Sequence, residues 1–78
     1  MMNFELLLEQ GRATGRDVVE HLVAHYYDGL VQLALSVVGD ADEAQDVAQQ
    51  TLIKAANEIG RYQPHTNLKA WVYKIGLN

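Results

Sequence analysis

Apolar residues recur at helical spacing along nearly the whole chain. Phe4, Leu7 and Leu8 open a short first helix that Gly11 or the Thr14-Gly15 pair ends. Asp17 can cap a second helix. In it Val19, Leu22, Val23, Tyr26, Leu30, Leu33, Ala34 and Val37 keep the i, i+3, i+4 recurrence of one buried face. Gly39 stops that helix at a C′ position. A helix over residues 17–38 is about 33 Å long at roughly 1.5 Å per residue. Gly29 in its interior costs about 1 kcal/mol relative to alanine and points to a close helix crossing.

Asp40 followed three residues later by Glu43 reads as a capping box, with aspartate in the serine or threonine role. Asp42 and Asp46 add negative charge near the positive end of the same helix. Its core stripe is Ala44, Val47, Ala48, Thr51, Leu52, Ala55 and Ile59, whose small members let another helix approach closely. Gly60 ends it. Arg61 to Thr66 then form a loop, because Pro64 pushes Gln63 out of the helical region. Thr66 or Asn67 caps a last helix with Leu68, Trp71, Val72 and Ile75 as its buried stripe and no stop signal through Asn78. No stretch alternates with the period of a strand. The expected fold is all-α, a compact bundle of three to four helices forming one domain over residues 1–78.

Composition narrows the class. Among 78 residues there is no cysteine, which excludes a disulfide framework and a thiolate zinc site. The apolar runs are too short to span a bilayer and the N-terminus is acidic, unlike a signal peptide. A hydrophobic fraction of 49% with 21% charged residues argues against disorder, so a soluble cytoplasmic protein is expected. Charge is uneven. Residues 1–58 carry three cations against ten acids, a formal −7, whereas residues 59–78 carry Arg61, Lys69 and Lys74 with no acid, +3, and the two give the chain's −4. Such an asymmetry suggests two partners on two surfaces, with nucleic acid a candidate for the basic end. Three cations over twenty residues are also ordinary scatter.

Two faces carry candidate chemistry. Opposite the core stripe of the third helix lie Asp42, Asp46, Gln49, Gln50, Ile53 and Asn57. A solvated face normally alternates Lys and Glu at i, i+4. Long amides around one apolar residue fit protein docking, although a single exposed isoleucine is commonplace. On the last helix Asn67, Ala70, Lys74 and Asn78 share a stripe, and the preceding loop adds Arg61, Tyr62, His65 and Thr66. These residues supply donors, cations and an aromatic plate, a set suited to phosphates and an unstacked base. A lid on the core is the better reading of Tyr62. His21 and His25 have ligand spacing but no catalytic Glu between them, and solvated histidines are the better reading. Asp40, Asp42 and Asp46 lack the glycine and terminal glutamate of a calcium loop. With no glycine-rich phosphate loop and no nucleophile elbow, no catalytic residue, metal or cofactor is expected, and the chain is not expected to be an enzyme.

The run from Gly39 to Ala55, followed by Trp71-Val72-Tyr73-Lys74-Ile75-Gly76-Leu77-Asn78, resembles region 2 of bacterial RNA polymerase sigma factors, most of all the extracytoplasmic-function group. Glu5-Leu6-Leu7 and the segment from Tyr26 to Leu35 are similar to that family's opening helices. The resemblance implies an all-helical domain with two tasks. Asp46, Gln49, Gln50 and Ile53 would dock on the clamp coiled coil of the polymerase β′ subunit, with Asn57 on the same face. The loop from Arg61 to Asn67, with Lys74 and Asn78, would contact the non-template strand of the promoter −10 element and capture an unpaired base. Gln45 and Gln50 stand where the family usually has glutamate, and Leu52 where phenylalanine is usual. Losing two negative charges weakens steering to a basic partner. Gly76 replaces a usual alanine and is expected to loosen the DNA-facing helix. The family's −35-reading domain has no counterpart, so the sequence reads as a domain excised from a longer protein. The rival expectation, from another class, is a helical module that binds protein only, such as an anti-sigma factor or a decoy partner.

Overall fold

The computed structural model describes residues 3–77, and Asn78, expected on the DNA-facing stripe, lies outside them. Four helices follow in order: α1 (Phe4–Glu9), α2 (Gly15–Val38), α3 (Ala41–Asn57) and α4 (Leu68–Leu77), with a single 3₁₀ turn at Ile59–Arg61. No strand occurs among the described residues.

Each helix start has a local cause. Asn3 caps α1 by accepting from Leu6 N at 2.8 Å. The second helix starts earlier than the sequence suggests: Thr14 is its cap, and Asp17 sits in the first turn as the other half of a capping box. Thr14 Oγ1 accepts from Asp17 N at 3.0 Å while Asp17 Oδ2 accepts from Thr14 N at 2.9 Å. Those bonds, that from the Thr14 backbone first, hold the Asp17 carboxyl below the usual aspartate value. Asp40 caps α3 through Glu43 N at 3.0 Å, and Asn67 Oδ1 accepts from Ala70 N at 3.0 Å at the head of α4. Gly39, at φ 72°, closes α2 in the left-handed conformation that a side chain would strain. Asp40 follows directly, so α3 folds back along α2 as a helical hairpin.

The seam between these two long helices is built from small side chains on one of them. Ala44, Ala48 and Ala55 of α3 are wholly buried, beside Thr51 and Leu52, while α2 contributes Val18, Leu22, Leu30 and Ala34. Thr51 satisfies its buried hydroxyl by donating to Val47 O at 2.8 Å. Helix α4 lies chiefly against α3 and places Leu68 and Val72 in the same core. The close crossing expected at Gly29 is present: a Cβ there would land on the Tyr73 hydroxyl of α4. Gly76 has a packing reason too, since a Cβ would come within 3.0 Å of Thr51 Cγ2. It sits at the α3–α4 contact and is not merely a loose point.

The α2 stripe is the main departure from the sequence reading. Val19 and Val23, expected in the core, are 49% and 48% exposed, and Val37 is 74% exposed. Val18 takes the buried place instead. The reason is geometric: the apolar arc of α2 is broader than the contact that α3 and α4 make with it. Trp71 is only half-buried, tilted against the buried Tyr62 with ring centroids 5.5 Å apart.

Candidate binding surfaces

The outward side of α3 is formed by the residue types the sequence placed there. Asp46, Gln49, Gln50, Ile53 and Asn57 are all exposed, Ile53 by 61%. Ile53 is not a lone apolar residue, however. It flanks an apolar groove of about 290 Å³ between α2 and α3, lined by Val19, Leu22, Val23, Tyr27, Gln49, Leu52, Ile53 and Ala56. The α2 members were missed as surface residues because their i, i+4 row runs beside the buried row of Val18 and Leu22. The available signal was the doubled apolar pairs Val18-Val19, Leu22-Val23 and Tyr26-Tyr27, an arc too wide for one partner helix.

The second surface is the loop after α3, with α4 behind it. Lys74 is exposed on α4, and Lys69 Nζ lies 5.5 Å from the Tyr73 ring centre. Arg61 is exposed and sits 3.6 Å from Glu58. His65 Nε2 lies 3.2 Å from Glu9 Oε2 of α1. The Thr66 hydroxyl donates to Gln63 O at 2.7 Å, closing the loop, and the Asn67 oxygen is occupied as a helix cap, leaving its amide NH₂ outward-capable.

Tyr62 is a correction. Proposed from sequence as a stacking plate, its ring is 5% exposed and belongs to the core cluster. Its hydroxyl donates to Glu5 of α1. Burial first, and then that bond, push the phenol above its usual value, so it remains a neutral donor. Between the end of α1 and this loop is an open depression of about 540 Å³, lined in part by Leu8, Glu9, Ile59, Gly60, Gln63 and Pro64.

His21 and His25 pack together, ring centroids 4.1 Å apart, with His21 stacked flat on Phe4 at 4.0 Å. Desolvation, with His25 adding to it and Glu5 opposing, lowers the His21 pKa. Among the described residues no set of three ligand-type side chains is placed to hold a metal. No helix among them is long and apolar enough to cross a membrane.

Comparison with known proteins bears on the chain's family. Residues 22–78 match the profile of the family described as Sigma-70 region 2. The chain is 33% identical over 72 residues to the RNA polymerase sigma-H factor of Pseudomonas aeruginosa, covering 92% of this chain and 37% of that protein. It is 45% identical over 45 residues to the ECF RNA polymerase sigma factor EcfG of Rhodopseudomonas palustris, covering 58% and 25% respectively. The ECF RNA polymerase sigma factor SigW of Bacillus subtilis is 28% identical over 71 residues, covering 91% and 38%. The chain thus spans well under half the length of these relatives. No solved structure matches it.

Proposed function

The chain belongs to the sigma-70 region 2 family, and from that premise we propose that it is the part of a transcription initiation factor that joins an RNA polymerase core to promoter DNA. Asp46, Gln49, Gln50, Ile53 and Asn57 dock on the clamp coiled coil of the β′ subunit, and the groove edge of Val19 and Val23 extends that contact. The observation that carries this reading is the continuity of the exposed amide-rich α3 face with an apolar groove. Covering Val19, Val23 and Ile53, each about half exposed, contributes about 3 kcal/mol in total. Micromolar binding needs about 8 kcal/mol. Hydrogen bonds made by Gln49 and Gln50 and accepted by Asp46 add about 1 kcal/mol each, and the apolar surface covered on the partner's own side of the contact supplies the rest.

The loop of residues 61–67 and Lys74 contact the unpaired non-template strand of the −10 element. With Arg61, Lys69 and Lys74 as the only cations after residue 58, the free chain binds DNA weakly. Docking on polymerase raises the effective concentration at the promoter and makes the weak contact sufficient. An anti-sigma factor that covered the groove would compete with polymerase for the same side chains.

One observation favours the rival reading, a module that binds protein only: Arg61, His65, Thr66 and Asn67 each already engage a partner within the chain. Electrophoretic shift with a single-stranded, T- and A-containing −10 oligonucleotide, with and without a β′ clamp fragment, separates the two. The sigma reading expects a shift that strengthens with the fragment and weakens with salt. A complex with the fragment that never takes up DNA would refute it in favour of the protein-only module.

A further inference from the structure

Helix α1 is only six residues long and contains no fully buried residue. Yet both of its carboxylates reach a loop more than fifty positions downstream. Glu5 accepts from the Tyr62 hydroxyl, and Glu9 faces His65 at 3.2 Å. The Tyr62 hydroxyl is the donor the Glu5 carboxylate finds, its Oε2 being buried without a hydrogen-bond partner among the described residues. His65 adopts φ 66°, a left-handed conformation uncommon for residues other than glycine, although histidine takes it more readily than most. Such a conformation persists only where its surroundings hold it. On its far side the loop is fixed by Thr66 bonding Gln63 O and by Asn67 capping α4. On its near side Arg61 N and Tyr62 N donate to Glu58 O and Ile59 O in the 3₁₀ turn, and the side-chain ties of Tyr62 and His65 run to α1.

We propose that α1 is a brace, with Glu5 and Glu9 as positioning residues that hold the loop of residues 61–67 in its shape for binding. The proposal rests on the reading of that loop as a single-strand DNA surface. The geometry favours bracing over a simple charge effect. Glu5 is withdrawn from solvent beneath Tyr62, and Glu9, although its side chain is 55% exposed, lies 3.2 Å from His65, so each carboxylate is engaged by a side chain of the loop. A loop already ordered loses less conformational freedom when a strand binds, which is the gain from preorganisation.

The two mechanisms predict opposite signs. The variants are Tyr62→Phe, which keeps the buried ring but drops the hydroxyl, Glu9→Ala, and the two combined. Amide hydrogen exchange of the 78-residue chain is the first readout. The combined variant is expected to exchange residues 63–67 roughly tenfold faster while α2 and α3 keep their protection. A control at the opposite end of the bundle, Val47→Ala, lowers the melting temperature but leaves exchange in the loop unchanged relative to the rest of the chain. The second readout is fluorescence polarisation with a single-stranded T- and A-rich oligonucleotide. The combined variant is expected to bind roughly tenfold more weakly, with clamp-fragment affinity unchanged. Glu9→Gln, which keeps an acceptor for His65 and drops the charge, restores most of that loss. Tighter DNA binding by Glu9→Ala and Glu9→Gln would overturn the brace and make the carboxylate a repelling charge. Unchanged exchange at residues 63–67 in the combined variant would overturn it without reference to DNA. Faster exchange combined with no DNA binding by the unaltered chain would uphold the brace and refute the DNA reading of the loop.

Discussion

The crossing of α2 and α4 turns on one missing carbon, and restoring it tests the packing directly. In Gly29→Ala the new Cβ falls on the Tyr73 hydroxyl oxygen, while the ring carbon that bears it is 3.5 Å away, ordinary contact distance. Two terms compete. Alanine in the interior of a helix gains about 1 kcal/mol over glycine. Overpacking costs roughly 1–3 kcal/mol, since Tyr73 is half-buried and must swing away, disturbing the Lys69 ammonium 5.5 Å from its ring centre. The net expectation is a loss of up to about 2 kcal/mol. In a Tyr73→Phe background the obstructing oxygen is gone and only the helix-propensity gain remains, so the same substitution should stabilise by about 1 kcal/mol. The sign reverses, and the coupling is of order 1–3 kcal/mol. For a domain of this size about 1 kcal/mol moves the melting temperature by roughly 4–8 °C, well within reach of far-UV circular dichroism on the four proteins of the cycle. Equal effects of Gly29→Ala in both backgrounds would refute the close crossing as the reason for glycine there.

Ile53→Asp is expected to abolish binding to a β′ clamp fragment without lowering the melting temperature, since the side chain is 61% exposed; Val23→Asp should do the same, and full retention in a pull-down would place the interface elsewhere. Leu22→Ala, at a wholly buried site, should cost about 2–5 kcal/mol and unfold much of so small a domain, whereas Trp71→Ala, half-buried, should cost less than the roughly 3–5 kcal/mol of an enclosed aromatic; urea titrations rank the two. Acid sensitivity follows from His21. Its folded form resists a proton that the unfolded chain accepts, so its contribution is full above about pH 6.5 and is lost as pH falls through the lowered folded value. His21→Gln should flatten that part of a melting-temperature profile, and an unaltered acid limb would contradict the desolvation of the ring. With at most three cations on the strand, the log–log salt slope of single-strand binding should be no steeper than about −2, and Lys74→Ala should reduce it by about 0.7.

The family was legible through motif resemblance, and the four helices and most of their ends because local chemistry sets them. Capping side chains, stop glycines and 3.6-residue periodicity act within a few positions, and each left its mark at Asp40, Gly39, Asn67 and along the alanine stripe of α3. The one shifted start, Thr14 in place of Asp17, lies within that local scheme, the two residues being halves of one box. The outward set on α3 was legible for the same reason, since everything on that row falls opposite a stripe that can only be buried.

Periodicity reports which residues share a side of a helix but not how much of that side a neighbour covers. Val19 and Val23 therefore read as core, and only the placement of α3 decided that they border an open groove beside Ile53. Tyr62 read better as a lid than as a plate, but its contact did not follow from the sequence. The partner, Glu5, is far away in sequence and near only once α1 has folded over the loop. The same holds for Glu9 and His65, and for Gly29 beneath Tyr73. Short-range interactions leave a pattern in the chain itself, whereas long-range contacts depend on the relative placement of whole helices, which packing alone fixes.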